Sequence, residues 1–249
     1  MQAGIHKELC FKLISEPRYE SLKRFLIESV VKKGWPNKDE ETKIEWVKEW
    51  MDMPDSDKHG SKLKNDHSYK ISIKDNKTHI EFAKSAGEQA TVVARLKYAA
   101  RDIKEWKEEE EFRVCGLELL KSIHWVVDFT SPSHTVAGWP QDMHSKIEED
   151  FDKTWETIYS TQEIKFNRTG YIKDIYRWAK DFIEKNYKRN CDLLALYQKG
   201  GSIKKGEGIQ MGQAVIKDVI QNLADYFAYI DKKIDYKNIY NSLIKENQS

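Results

Sequence analysis

Cysteine is scarce in this sequence. Cys10, Cys115 and Cys191 are the only three in 249 residues, and no CxxC pair occurs. That excludes a disulfide-framed scaffold, and all three are expected to behave as small buried hydrophobes without a redox or metal-thiolate role. Long apolar runs are missing as well: none approaches the ~20 residues that a membrane span requires. The opening Met-Gln-Ala-Gly-Ile-His-Lys-Glu has no apolar h-region, so no signal peptide is expected there. Nor is there an excess of one charge. Lys plus Arg number 42 and Asp plus Glu 41, a net charge of +1, which argues against a general electrostatic binder of nucleic acid. No low-complexity tract and no internal repeat is visible.

Charged residues at 33 % and hydrophobic residues at 39 % describe a sizeable core beneath a charged surface. Helical periodicity dominates, which predicts one mostly-α domain over 1–249. Tyr19 to Lys33 places Leu22, Phe25, Leu26, Ser29 and Val30 on one stripe. After the Gly34-Trp35-Pro36 breaker, Asp39 to Met51 reads as a helix with Ile44, Val47 and Trp50 inward. The stretch 69–82 alternates around Asp75-Asn76-Lys77 and predicts a small β-hairpin. Helical patterns return over Ser85 to Glu105, over Glu108 to Asp128, from about Met143, and over Ile209 to Lys232. Lys199 to Gly208 reads as a flexible Gly- and Lys-rich connector. Trp35, Trp46 and Trp50 are expected in the core and Trp139 at the surface.

The seven histidines carry most of the chemical information. His124-Trp-Val-Val-Asp128 sets an imidazole and a carboxylate four residues apart in a helix, on one face, where both can reach one ion. His144-Ser-Lys-Ile-Glu148 repeats that spacing on the next helix. Each pair alone also suits an ordinary charged helix face; two within 25 residues do so less comfortably. Between them, Asp128-Phe-Thr-Ser-Pro-Ser-His134 forms a Pro-containing turn that swings His134 back towards the helix ends. Metal sites that hydrolyse phosphate esters need such clusters, because adjacent ions clamp the attacking and leaving oxygens.

The run HWVVDFTSPSHTVAGWPQDMHSKIEEDFD, from His124 to Asp152, resembles the signature of the zinc-dependent phospholipase C family, whose relatives include single-strand-specific nucleases. The HSKIEEDF segment is especially similar. Upstream, Pro54-Asp55 and Asp66-His67, with twelve residues from Asp55 to His67, resemble the family's Asp loop and following His; Asp57 competes with Asp55, and Asp52 is a weaker choice. Gly4-Ile5-His6 is similar to the family's early His. The resemblance implies an all-α fold and up to three zinc ions. Asp55, His67, His124 and Asp128 would hold the first, and His134, His144 and Glu148 the second. Met1, through its α-amino and carbonyl groups, would hold the third with His6, Asp128 bridging. Met1 stands where the family usually has Trp. His59 and His79 have no role in this scheme.

The implied reaction is phosphodiester hydrolysis by a metal-activated water, with Asp55 also the candidate general base. Glu148 as last ligand, the short His134–His144 span and the Asp55–His67 step favour phospholipid headgroups as substrate. The alternatives are a single-strand nuclease or nucleotidase of the same fold and a non-catalytic structural zinc protein. Ser56, where choline-selective members carry an aromatic, leaves the headgroup open. The family is secreted as a rule. The sequence ends in a helical pattern, so toxin-type attachment through a lipid-binding β-domain is not expected, nor is a stable nucleic-acid complex.

Overall fold

A computed structural model describes residues 4–31, 38–52, 69–74, 77–82, 109–135, 141–164 and 172–237. Over these residues the chain is all-α apart from one hairpin. A wide π-helical turn, Gly4–Leu9, runs into α1 (Cys10–Ile14), followed by a 3-10 turn (Pro17–Tyr19), α2 (Glu20–Ser29) and α3 (Glu40–Met51). Strands β1 (Tyr69–Lys74) and β2 (Lys77–Phe82) come next, then α4 (Glu109–Thr130), α5 (Pro132–Thr135) and α6 (Gln141–Asp152). The order ends with α7 (Trp155–Thr161), α8 (Ile175–Gln198) and α9 (Gly208–Asp231). The strands pair antiparallel, Tyr69 opposite Phe82 and Lys74 opposite Lys77. No helix among the described residues is long and apolar enough to cross a membrane.

Helix α4 is the hub, with α2, α3 and α9 packed round it. The reason lies in its sequence: Leu119, Leu120, Ile123, Val126 and Val127 surround the axis, so burial on several sides is the only way to dry them. Helix α9 brings the expected stripe of Val215, Ile216, Val219, Ile220, Leu223, Phe227 and Ile230, all buried. Polar bolts fix its register on α4: Ser122 and Tyr226 hydroxyls at 2.5 Å, and Asn222 Nδ2 donating to Thr130 Oγ1 at 3.0 Å. Helix α2 is shorter than the periodicity suggested. Tyr19 belongs to the 3-10 turn, and the Val31 N–H donates back to Glu28 at 3.2 Å, tightening the last turn. Asp39 caps α3 by accepting from the Thr42 N–H at 2.8 Å. That helix buries Val47 and Met51 fully, while Ile44, Trp46 and Trp50 are half-buried against the core. Cys10 and Cys115 are buried; Cys191 is only half-buried. The helix expected over Ser85 to Glu105, and Trp35 and Trp139, lie outside the described residues.

The connector after α8 is tied down rather than flexible. Gly201 N–H donates to Leu196 and Gly200 N–H to Tyr197, both at 2.9 Å, with Gly200 at φ 78°. This is the Schellman arrangement, and its left-handed residue favours glycine. Beyond it, Asp150 of α6, only 5 % exposed, accepts from the Tyr197 and Ser202 hydroxyls at 2.7 Å and from Lys204 Nζ at 2.6 Å. Burial alone would raise its pKa, yet these donors hold it below the ordinary carboxylate value. Asp150→Ala leaves two buried hydroxyls without this acceptor, so a loss of about 2–4 kcal/mol is expected in a denaturant melt. A change under ~0.5 kcal/mol would mean the connector is not pinned there.

Candidate metal centre

Six of the nine expected site residues fall within the described residues, and the fold brings them together. His124 and Asp128 project from one face of α4, both fully buried. After α4, the Ser131 N–H bonds back to the carbonyls of Val127 and Asp128 at 3.0 Å, and Pro132 starts the single turn α5. That turn returns His134 to Asp128, Nε2 to Oδ1 3.4 Å. The π-helical turn delivers His6, whose Nε2 lies 3.3 Å from the same Asp128 oxygen. The His6 and His124 rings stack with centroids 4.1 Å apart. Helix α6 completes the group: His134 Nε2 is 3.5 Å and His144 Nε2 2.6 Å from Glu148 Oε1. Met1, Asp55 and His67, together with Asp57 and His59, lie outside the described residues. His79 falls on β2.

The tautomer of His124 shows what this arrangement wants. Its Nδ1 lies 3.0 Å from the Met51 carbonyl. A carbonyl only accepts, so Nδ1 carries a proton, and Nε2, 3.4 Å from Asp128 Oδ2, is the nitrogen that would ligate an ion. An imidazole held in that orientation suits a cation shared with the carboxylate. The separations agree with that. An imidazolium–carboxylate hydrogen bond would close to about 2.7–2.9 Å. Two ligands on one tetrahedral zinc at ~2.0–2.1 Å stand about 3.3–3.4 Å apart, and the nitrogens of His6 and His124 lie 3.3 and 3.4 Å from Asp128. Donation of the other ring nitrogen to a backbone carbonyl is also the usual support of a metal-bound His.

The second group is arranged differently. His134, His144 and Glu148 have their ligand atoms within 4.8 Å of one another, but the 2.6 Å His144–Glu148 contact is a hydrogen bond. It would open by roughly 0.7 Å to share an ion. Glu148 is held well below the usual carboxylate range: burial pushes its pKa up, and the neighbouring His134 and His144 imidazoles outweigh that. The carboxylate is therefore already ionised, as a ligand must be.

Three more participants join the centre, of which the residue spacing marked only Asp52, as a weaker choice. One is the Met51 carbonyl. Another is Asp52, the cap residue of α3, whose carboxylate lies within 4.8 Å of the His6 and His124 ligand atoms and pairs with Lys7 Nζ at 3.0 Å. The third is Asp152, whose Oδ1 accepts the Ile5 N–H at 2.8 Å. Its pKa is raised, mainly by burial, against the opposing pull of the Ile5 N–H.

No family model matches the chain, and no curated protein does. Among solved structures, the alpha-toxin of Clostridium perfringens isolated from avian strain SWCP is similar in backbone. Its TM-score is 0.49 at 17 % sequence identity, over 91 % of this chain and 64 % of the toxin's. The chain thus spans less than two thirds of the toxin's length.

Proposed function

We propose that this chain is a zinc-dependent phosphodiester hydrolase, acting as a phospholipase C on phospholipid headgroups. The observation that carries the reading is Asp128, a fully buried carboxylate with three imidazole nitrogens 3.3–3.4 Å away. Such a carboxylate costs several kcal/mol in desolvation unless positive charge joins it. His6, His124, Asp128 and, by resemblance, Met1, Asp55 and His67 would hold two ions, with Asp128 shared; His134, His144 and Glu148 would hold another. Bound zinc supplies charge for the phosphate oxygens and acidifies water.

The chain's own groups do the rest. The Met51 carbonyl holds His124 in the ligand tautomer, and Asp128 spans its neighbours with both oxygens. Burial of His124 and Asp128 at 0 % exposure keeps bulk water from competing. Asp55 is the group proposed to take the proton from the attacking water. The near-neutral net charge of +1 suits a substrate met at bound metal rather than over a broad basic surface.

The test compares zinc-loaded protein on phosphatidylcholine vesicles and on single-stranded DNA. Headgroup release that falls by about 10²–10³-fold in His134→Ala is the expected result. Turnover of DNA alone would move the reading to the nuclease branch. Bound zinc with no turnover of either substrate would leave a structural metal centre.

A further inference from the structure

Among the described members of the centre, His6 and His134 are carried by no long helix, and His134 follows directly on α4 whereas His6 does not. His6 sits in a wide turn at the beginning of the described chain, and its aim depends on what holds that turn. Ile5 and Leu9 anchor it in the core. Two carboxylates then bracket His6 in sequence. On one side Asp152, in the last turn of α6, accepts the Ile5 N–H at 2.8 Å. On the other, Asp52 at the end of α3 pairs with Lys7 at 3.0 Å.

The Asp152 contact has the stronger geometry. It goes to backbone, it is partly buried, and it joins residues 147 apart in sequence. Gly4 makes room for it: a Cβ there would come within 2.8 Å of Asp152 Oδ1. Asp152 also stands one helical turn after Glu148, so the helix that carries His144 and Glu148 holds the His6 turn as well. Both acids, with His6, His134 and Ser131, line a cavity of about 20 Å³ beneath the centre. The second oxygen, Oδ2, is buried with no hydrogen-bond partner among the described residues.

We infer that Asp152 is a positioning residue, docking the Gly4–Leu9 turn so that His6 Nε2 meets Asp128. The inference rests on the zinc-centre reading for its consequence but not for the contact itself. Hydrogen exchange separates the two.

In the zinc-free protein, Asp152→Ala is expected to speed exchange of the Ile5 amide at least ~10-fold, while amides in the middle of α9 keep their protection. In a zinc titration the same variant should behave like His6→Ala. The ion that depends on His6 is weakened about 10–100-fold, as for other residues that support a ligand, and the His134–His144–Glu148 ion is retained. Asp152→Asn keeps an oxygen to accept the Ile5 N–H and should restore both properties. Gly4→Ala, which crowds the carboxylate without removing a charge, should reproduce Asp152→Ala.

Unchanged Ile5 exchange in Asp152→Ala would overturn the inference, as would an Asp152→Asn variant as damaged as the Ala variant. Wild-type protein that binds no zinc would sink the zinc-centre reading and leave the exchange result to decide the docking contact.

Discussion

On the proposed zinc reading, replacing Asp128 with Asn is expected to remove the link between two of the ion sites and, with it, most of the protein's response to zinc. The side chain is fully buried, and its two oxygens face His6, His124 and His134 at 3.3–3.4 Å. Asn keeps the shape but offers one neutral oxygen and an amide that cannot ligate. Activity on a phosphodiester should fall by about 10²–10³-fold or more. The melting temperatures carry the sharper signature. Zinc at 100 times its dissociation constant stabilises a folded site by about 2.7 kcal/mol. For a chain of this size that raises the melting temperature by roughly 5–10 °C. Wild type should show that gap between zinc-free and zinc-loaded forms, and Asp128→Asn should lose most of it. The zinc-free variant should melt no lower than zinc-free wild type, because it no longer buries a charge. A variant that melts far below wild type without zinc would mean that the carboxylate serves the apo fold instead.

Gly116→Ala is expected to be strongly destabilising although it lies outside the centre. A Cβ on Gly116 of α4 would fall 1.9 Å from Ser29 Oγ and 2.1 Å from its Cβ, on α2. Ser29 cannot swing aside freely. It is fully buried, and its hydroxyl donates to the Phe25 carbonyl at 2.7 Å. The helices must separate, at a cost of about 3 kcal/mol, or roughly 6–12 °C in melting temperature. Ser29→Ala keeps the offending Cβ and should not rescue it. Ser29→Gly should, giving a double-mutant coupling of about 1–3 kcal/mol. Additive losses in the double variant would contradict the close approach. Because α4 carries His124 and Asp128, a gap between α2 and α4 should also weaken zinc binding.

The parts of this protein that were readable in its sequence are those encoded locally. The 3.6-residue stripe of α9 and the alternation over 69–82 each report a single element's burial pattern, and both elements stand where that pattern put them. The same locality holds for the histidines. His124 with Asp128, and His144 with Glu148, are one turn apart on their helices, so helix geometry alone sets each pair on one face. The Pro132 turn is short enough that His134 had few places to go. What the sequence did not show depends on contacts across the chain. The Met51 carbonyl and Asp152 reach the centre only because α3, α6 and the first turn converge on α4, and the same convergence sets Asp52, a weaker choice by sequence, beside His6 and His124. No spacing rule marks an acceptor on another helix. Nothing local marks Gly116 as the point where Ser29 of α2 meets α4. The connector over 199–208 looked flexible by composition, but Asp150, Tyr197 and Ser202 meet only in three dimensions. His6 was legible through resemblance rather than periodicity, since a lone His near the start has no pattern of its own.

The most direct test of the central claim is zinc per chain, measured by elemental analysis on untagged full-length protein whose first residue is established by mass spectrometry. Two to three zinc ions per chain are expected, with the third reporting on Met1 and His6. A value of zero or one, after dialysis against the metal, would contradict a clustered centre around Asp128.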